Sequence, residues 1–508
     1  MGASREKRTR KTLPLQDTGK KNKKKEDTSS PTIKILAGFV IVLITLGALM
    51  VVLYATHTTQ RMFTAMKVGG IKVSPAEYDV YYHSEYNYWS QYYSYYGYDI
   101  SSDDSFPSYI QQQTQSDIQS TVSMAAEARK AGMKLSDENQ SSYNDAIDSL
   151  LNSAKDQDMS VNQYLGVYYG AGVTRSTYEK YLTDSLLSSQ WTQERKDALT
   201  YTQADYDKYY SDNVDNMDTV NYLYYEIPVA TADDTSDTDA VQANIDAAKA
   251  TADDFLSKAI SEAAFKQAAI DFASDDKKAS YENNPDQVSV RFKYLSDLTE
   301  FQRTWMIEPG RKAGDSTVLE NTDSNGAVTS YQIFYFLSRQ RADYDRVNVR
   351  HILFMYKDDS DANTQTPTDE QRAAAVQKAQ DELDKYLAGD QTADAFAALA
   401  NADTEDTGNT GSDGSQNGGL YEGVYKGQMV LPFEDWCFDP ARKPGDTGLV
   451  ETVYGVHVMY FVSTDDQPDW TVVAHDKLVS DDMDAYRSGI NDAYPLVTSD
   501  YGMSLTLK

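Results

Sequence analysis

Residues 216–343 and 344–467 repeat one another, and no other feature limits the fold of this chain so strongly. Val220-Asn221-Tyr222-Leu223-Tyr224-Tyr225 aligns with Val347-Asn348-Val349-Arg350-His351-Ile352, each with the alternation of a strand. Ala-rich helical stretches follow near 240–272 and 369–400. Trp305, Pro309, Arg311-Lys312, Gly314 and Asp315 match Trp436, Pro440, Arg442-Lys443, Gly445 and Asp446. The closing strands, Gln332 to Phe336 and His457 to Phe461, match as well. Matched spacing over that much chain reads as a duplication. Strand, helices, strand in each copy predicts two α+β modules of helices packed on a small sheet.

What precedes the repeat is different. Ile35 to Ala55 carries no charged residue, and at about 1.5 Å per residue such a run reaches roughly 30 Å, a bilayer core. The basic cluster Lys20 to Lys25 before it predicts a cytoplasmic tail (1–34), a transmembrane helix (35–55) and extracellular domains after it. A hairpin is expected at Lys67 to Val73 around Gly69-Gly70, then a capped helix opening at Ser74-Pro75-Ala76-Glu77. Tyr78, Tyr82, Tyr86, Trp89 and Tyr93 share one face of that helix. Most of these aromatics are expected to pack the domain's own core; the other use open to them is gripping unfolded chains. Further helices are predicted at Ser108 to Ala131, Asp137 to Asp156, Ser160 to Tyr168, Arg175 to Leu199 and Gln203 to Ser211. The chain thus reads as multidomain, with an all-α region over 56–215 before the two modules. A tail over 468–508, helical from Asp481 to Tyr494, is expected to pack back on the helical region.

Charge and cysteine content exclude several functions. The net charge is −31, and residues 1–34 hold +7, leaving −38 for the rest, which argues against nucleic acid as a partner. One cysteine, Cys437, permits no intramolecular disulfide or Cys cluster and reads as a buried small hydrophobe. Five scattered histidines make a His-rich metal site improbable, so neither metal nor cofactor is expected.

In the second copy the chemistry-bearing residues fall in a specific order: Arg350-His351-Ile352-Leu353, Leu399-Ala400 with Asp406 beyond, Gly427-Gln428-Met429, Pro432-Phe433-Glu434, Gly445, and Gly455-Val456-His457. Over about 346–465 this set resembles the parvulin family of peptidyl-prolyl isomerases. With the apolar run and the helical region, the whole chain resembles the PrsA-like extracellular foldases of Gram-positive bacteria, and the helical part the chaperone region of the SurA type. The resemblance implies that His351 and His457 form the paired histidines of the active-site network, with Asp406 beside the rotating peptide bond. It also implies that Met429 and Phe433, with Gln428, hold the substrate proline. The chain has Gly418-Gly419-Leu420-Tyr421-Glu422 where the family has Gly-Asp-Leu-Gly, so the third pocket wall stays open between Leu420 and Tyr421. Asp358, Asp359 and Asp361 stand where a phosphate-selecting relative needs a basic cluster. The first copy is degenerate: Tyr224 stands opposite His351 and Gln332 opposite His457.

The residue types suit the reaction on physical grounds. Rotation about an amide faces about 18–20 kcal/mol, and no bond need break. An apolar slot that dries the carbonyl and a placed polar group suffice to lower that barrier. The expectation is a single-pass membrane foldase that isomerises X–Pro bonds in unfolded or newly secreted proline-containing proteins. The alternative is an inactive holdase using both modules as peptide-binding surfaces. Monomer and homodimer stay equally open.

Overall fold

The computed structural model describes residues 31–97, 105–232, 237–356, 367–411 and 414–507. The basic tail up to residue 30 and Asp358, Asp359 and Asp361 lie outside them. Pro31–Ala55 is one helix. Of the expected span 35–55, the side chains of residues 35–39, 50, 54 and 55 lie outside the described set. Among the described residues no helix is long and apolar enough to cross a membrane. The chain divides into two compact units, residues 1–195 with 486–508, and residues 196–485.

The first unit is mainly helical. β1 (Met66–Val68) and β2 (Ile71–Val73) form the expected hairpin, turned by Gly69 and Gly70 at φ +54° and +89°, where residues with a Cβ are strained. The chain's last strand, β11 (Leu496–Thr498), pairs antiparallel with β1. Ser74 caps the helix Pro75–Tyr95 through a reciprocal box with Glu77. Tyr78, Tyr81 and Tyr82 are buried against Ile110, Ile118, Val122 and Met124 of the helix Phe106–Lys130. The aromatic face does not stay buried to its end: Tyr86 is exposed and Trp89 and Tyr93 are only partly covered, and Tyr88, Tyr92, Tyr95 and Tyr96 off that face are exposed as well. The cause is length, because the helix outruns the core that covers its first two turns.

The second unit holds two sheets of one topology. In the first module β3 (Thr219–Pro228), β4 (Ser289–Tyr294), β5 (Ser316–Thr322) and β6 (Val328–Gln340) lie in the order β4-β3-β6-β5. In the second, β7 (Asp345–Met355), β8 (Leu420–Val424), β9 (Thr447–Glu451) and β10 (Gly455–Pro468) lie in the order β8-β7-β10-β9. The register repeats as well. Tyr224 pairs with Phe334 and Glu226 with Gln332, as His351 pairs with Met459 and Leu353 with His457. A bulge interrupts each central pair at the same step, and an asparagine spans it: Asn221 donates to Ser338 at 2.8 Å, Asn348 to Ser463 at 3.0 Å. Arg311 stacks on Trp305 and Arg442 on Trp436, each also donating to the Trp backbone carbonyl.

Strand alternation gives each sheet two faces. In the second module Ile352, Phe354, Val456 and Val458 pack under the helices Asp369–Leu387 and Ala393–Asp403 around Phe396. The other face carries Val349, His351, His457 and Met459 and meets the short helix Leu431–Cys437 through Phe433 and Cys437. Each Ala-rich stretch folds as more than one helix, as expected, with Ser261 and Thr392 capping a second start. The C-terminal helix begins at Asp469, well before Asp481, since Trp470 and Ala474 bury against Met217, Tyr294 and Ala342. The helix Gln203–Asp212, which the sequence assigns to the helical region, belongs to this unit because Tyr206, Tyr209 and Tyr210 join the same cluster.

Candidate functional site

The central strands β7 and β10 place His351 and His457 side by side on the face away from the long helices. Their Nδ1 atoms are 3.1 Å apart, and both rings are buried. His457 Nε2 lies 2.9 Å from the Thr452 hydroxyl, which itself accepts the Tyr454 backbone N–H. His351 Nε2 lies 3.0 Å from Asp406 Oδ2, poorly aligned for a hydrogen bond but close enough for an N–H there to face the carboxylate. Asp406 reaches that position because the segment after the helix Ala393–Asp403 runs along β7: Glu405 N–H donates to the Leu353 carbonyl, and Leu353 N–H to the Thr404 hydroxyl. The Tyr421 hydroxyl donates to Asp406 at 2.8 Å, and Gly408 N–H at 3.0 Å.

These contacts define protonation. The His351 contact, aided by Gly408 and Tyr421, holds the Asp406 carboxyl well below the usual carboxylate range in spite of partial burial. Burial first, then the neighbouring His351, pulls His457 down to about 3, so its imidazole is neutral. With Asp406 ionised, one tautomer chain fits every separation: Thr452 O–H to His457 Nε2, His457 Nδ1–H to His351 Nδ1, and His351 Nε2–H toward the carboxylate. Burial and Asp406 push the Tyr421 phenol up, which keeps it a donor.

Beside this network lies a cavity of about 370 Å³. Glu405, Asp406, Thr407, Tyr421 and the two histidines form its polar side; Leu353, Met355, Met429, Val430, Phe433 and Tyr454 form the apolar side, with Gln428 at the same rim. Gln428 accepts the Tyr425 backbone N–H, which closes the turn before Met429. Leu420 is not part of the lining. Adjacent residues of a strand point to opposite faces, and Tyr421 is the one beside the His351 ring, at 4.6 Å between centroids. Sequence reasoning missed Thr452 and Tyr454, although their place in the hairpin leading to His457 was a signal. Gly419 permits the approach of β8: at φ +68° a Cβ there would lie 2.2 Å from the His351 carbonyl oxygen. Cys437 is buried, and burial pushes its thiol up to about 12, far from nucleophilic use.

The same place in the first module is filled differently. Tyr224 donates to Glu226, and Gln302 donates to Gln332 at 2.7 Å. Gln302 stands on the short helix Glu300–Met306 where Phe433 stands on its counterpart, so a polar pair replaces the apolar floor.

Residues 331–464 match the family model of the PPIC-type PPIase domain, and residues 22–192 that of the SurA-like N-terminal domain. None of the curated proteins compared matches the chain. Among solved structures it is similar to the peptidylprolyl isomerase PrsA of Bacillus cereus, at 18% identity over 32% of this chain and 55% of that one, with a TM-score of 0.19. It thus spans little more than half the length of that protein. It is also similar to the foldase protein PrsA of Lactococcus lactis (15% identity, 59% of this chain and 86% of that one, TM-score 0.18). A third is a SurA-like chaperone of Campylobacter jejuni (13% identity, 85% and 96%, TM-score 0.15). The two family matches and the site's geometry agree: the chain carries a parvulin-type peptidyl-prolyl isomerase domain behind a SurA-like N-terminal domain.

Proposed function

We propose that this chain is a membrane-anchored foldase that isomerises X–Pro bonds in unfolded, newly secreted proteins. One observation carries the reading: a cavity of about 370 Å³, with room for a proline ring against its apolar wall, lies directly beside a carboxylate held ionised by His351, Gly408 and Tyr421. Met429 and Phe433 would hold the ring and strip water from the preceding carbonyl, which weakens amide resonance. A planar amide places partial negative charge on that oxygen, and a fixed carboxylate nearby disfavours it. Twisting returns the density to nitrogen, so the carboxylate raises the planar state relative to the twisted one. Asp406 needs no proton transfer for this. The network's task is to keep it charged and still.

The exposed tyrosines of the helix Pro75–Tyr95 support a chain-gripping role for the SurA-like region. The anchor is supported by the helix Pro31–Ala55, whose Val40, Ile41, Val42, Leu43 and Ile44 are all exposed, as lipid-facing residues are, and by the basic residues Lys20 to Lys25 before it.

The test is proline-limited refolding of a reduced, unfolded substrate protein with the full-length chain in detergent. The slow phase should accelerate in proportion to enzyme, and Met429→Ala should lower that slope by roughly tenfold through loss of apolar hold. An unchanged slow phase at equimolar chain would favour the holdase.

A further inference from the structure

The degenerate module presents the turn at Arg291-Phe292 to the pocket loop of its neighbour. On β4, Phe292 sits at φ +49°, a left-handed conformation that bulky residues rarely adopt. Its N–H donates to Asn221 at 2.8 Å, as Gly423 N–H donates to Asn348 at 2.7 Å in the second module. The second module therefore uses a glycine, at φ +62°, where the first forces a phenylalanine into the same turn. What that turn delivers is Arg291. Its carbonyl oxygen lies so near Gly427 that a Cβ there would be 2.2 Å away. Its guanidinium lies 3.0 Å from Asp435 and 3.7 Å from Glu434.

Glu434 is the telling partner. It is 1% exposed and adjoins Phe433. One carboxylate oxygen accepts the Gly427 N–H, and the other has no hydrogen bond. Burial pushes its carboxyl up, with Arg291 and Lys426 opposing. Lys426 lies over the Phe292, Tyr344 and Phe438 rings at 5.0–5.3 Å. Removing Arg291 would leave a buried carboxylate short of countercharge in the loop that carries Gln428, Met429 and Phe433.

We propose that the first module acts as a positioning element for the isomerase pocket, with Arg291 holding the Gly427–Glu434 loop, and through it Met429 and Phe433, in the geometry that grips proline. The proposal rests on the isomerase reading for its kinetic consequence but not for its structural one. Arg291 touches no substrate. It is a positioning residue, and a module without chemistry of its own thereby has a use.

The test uses the full-length chain with methyl-labelled methionine, the Met429 resonance assigned through Met429→Leu. In Arg291→Ala that resonance should shift or broaden, and kcat/KM should fall roughly tenfold, mainly through KM. Arg291→Lys, which keeps the charge, should restore most of both. In Arg291→Ala/Glu434→Gln the neutral amide still accepts the Gly427 N–H and needs no counterion, so the double variant should return toward wild type. Should Arg291→Ala fail to fold by circular dichroism, the double variant reads the same coupling: a wild-type Met429 signal supports the clamp, a displaced one overturns it. An Arg291→Ala chain with Met429 unmoved and kcat/KM within about twofold of wild type overturns it directly. A wild-type chain without turnover would sink the isomerase reading alone, since the Met429 signal would still decide the clamp.

Discussion

His457 shows how a single residue ties the site to the stability of the fold. Its imidazole is neutral in the folded chain down to about pH 3, whereas an unfolded chain takes up that proton near pH 6.5. Between those values the unfolded state binds more protons at this residue, so the contribution of His457 to stability falls as pH drops, by at most about 1.4 kcal/mol per pH unit. Asp406 acts in the same direction at lower pH: its carboxyl is held down in the fold, and that contribution is lost as pH falls below roughly 4. Urea unfolding followed through a probe in the second module should therefore show a midpoint that declines from pH 6.5 to 4. His457→Gln should flatten the upper part of the decline, because the proton uptake of His457 on unfolding is gone. An equal slope in that variant would mean that His457 is not the buried neutral group described.

At the scale of elements, legibility followed the length and regularity of each pattern. The helices at Asp137–Asp156 and Arg175–Asp197 were readable from caps and period, and the central strands from alternation together with the family motif. The position of the break within each Ala-rich stretch was not, because alanine favours helix on both sides of it and only Ser261 and Thr392 mark it. Tyr421 could not be separated from Leu420 without the register of β8, since a shift of one residue exchanges the faces. Thr452 escaped because its role exists only once the hairpin folds back on His457. The helix Pro31–Ala55 carries this scale's prediction: protease added to intact cells should remove everything after Ala55 and spare the basic tail. Protection of the C-terminal domains would contradict the proposed orientation.

On the scale of the whole molecule, the duplication explains both what the two modules share and how they differ. Sheet order, bulge and Arg–Trp stack are common to both, so these belong to the fold and not to the chemistry. The sites diverge: His351, His457 and Phe433 in one, Tyr224, Gln332 and Gln302 in the other, with the Gln302–Gln332 bond standing in place of a floor for proline. The central claim is thus that X–Pro rotation is accelerated at one cavity only. Exchange NMR on a proline peptide measures it most directly, using the full-length chain beside an Asp406→Ala/Met429→Ala variant whose fold is verified by circular dichroism. Uncatalysed exchange takes roughly tens to hundreds of seconds. The wild-type chain at a small fraction of the peptide concentration should bring exchange to about a second or faster, and the double variant should leave it at the uncatalysed rate. Equal acceleration by both chains would place the activity elsewhere in the molecule, and acceleration by neither would contradict the isomerase account itself.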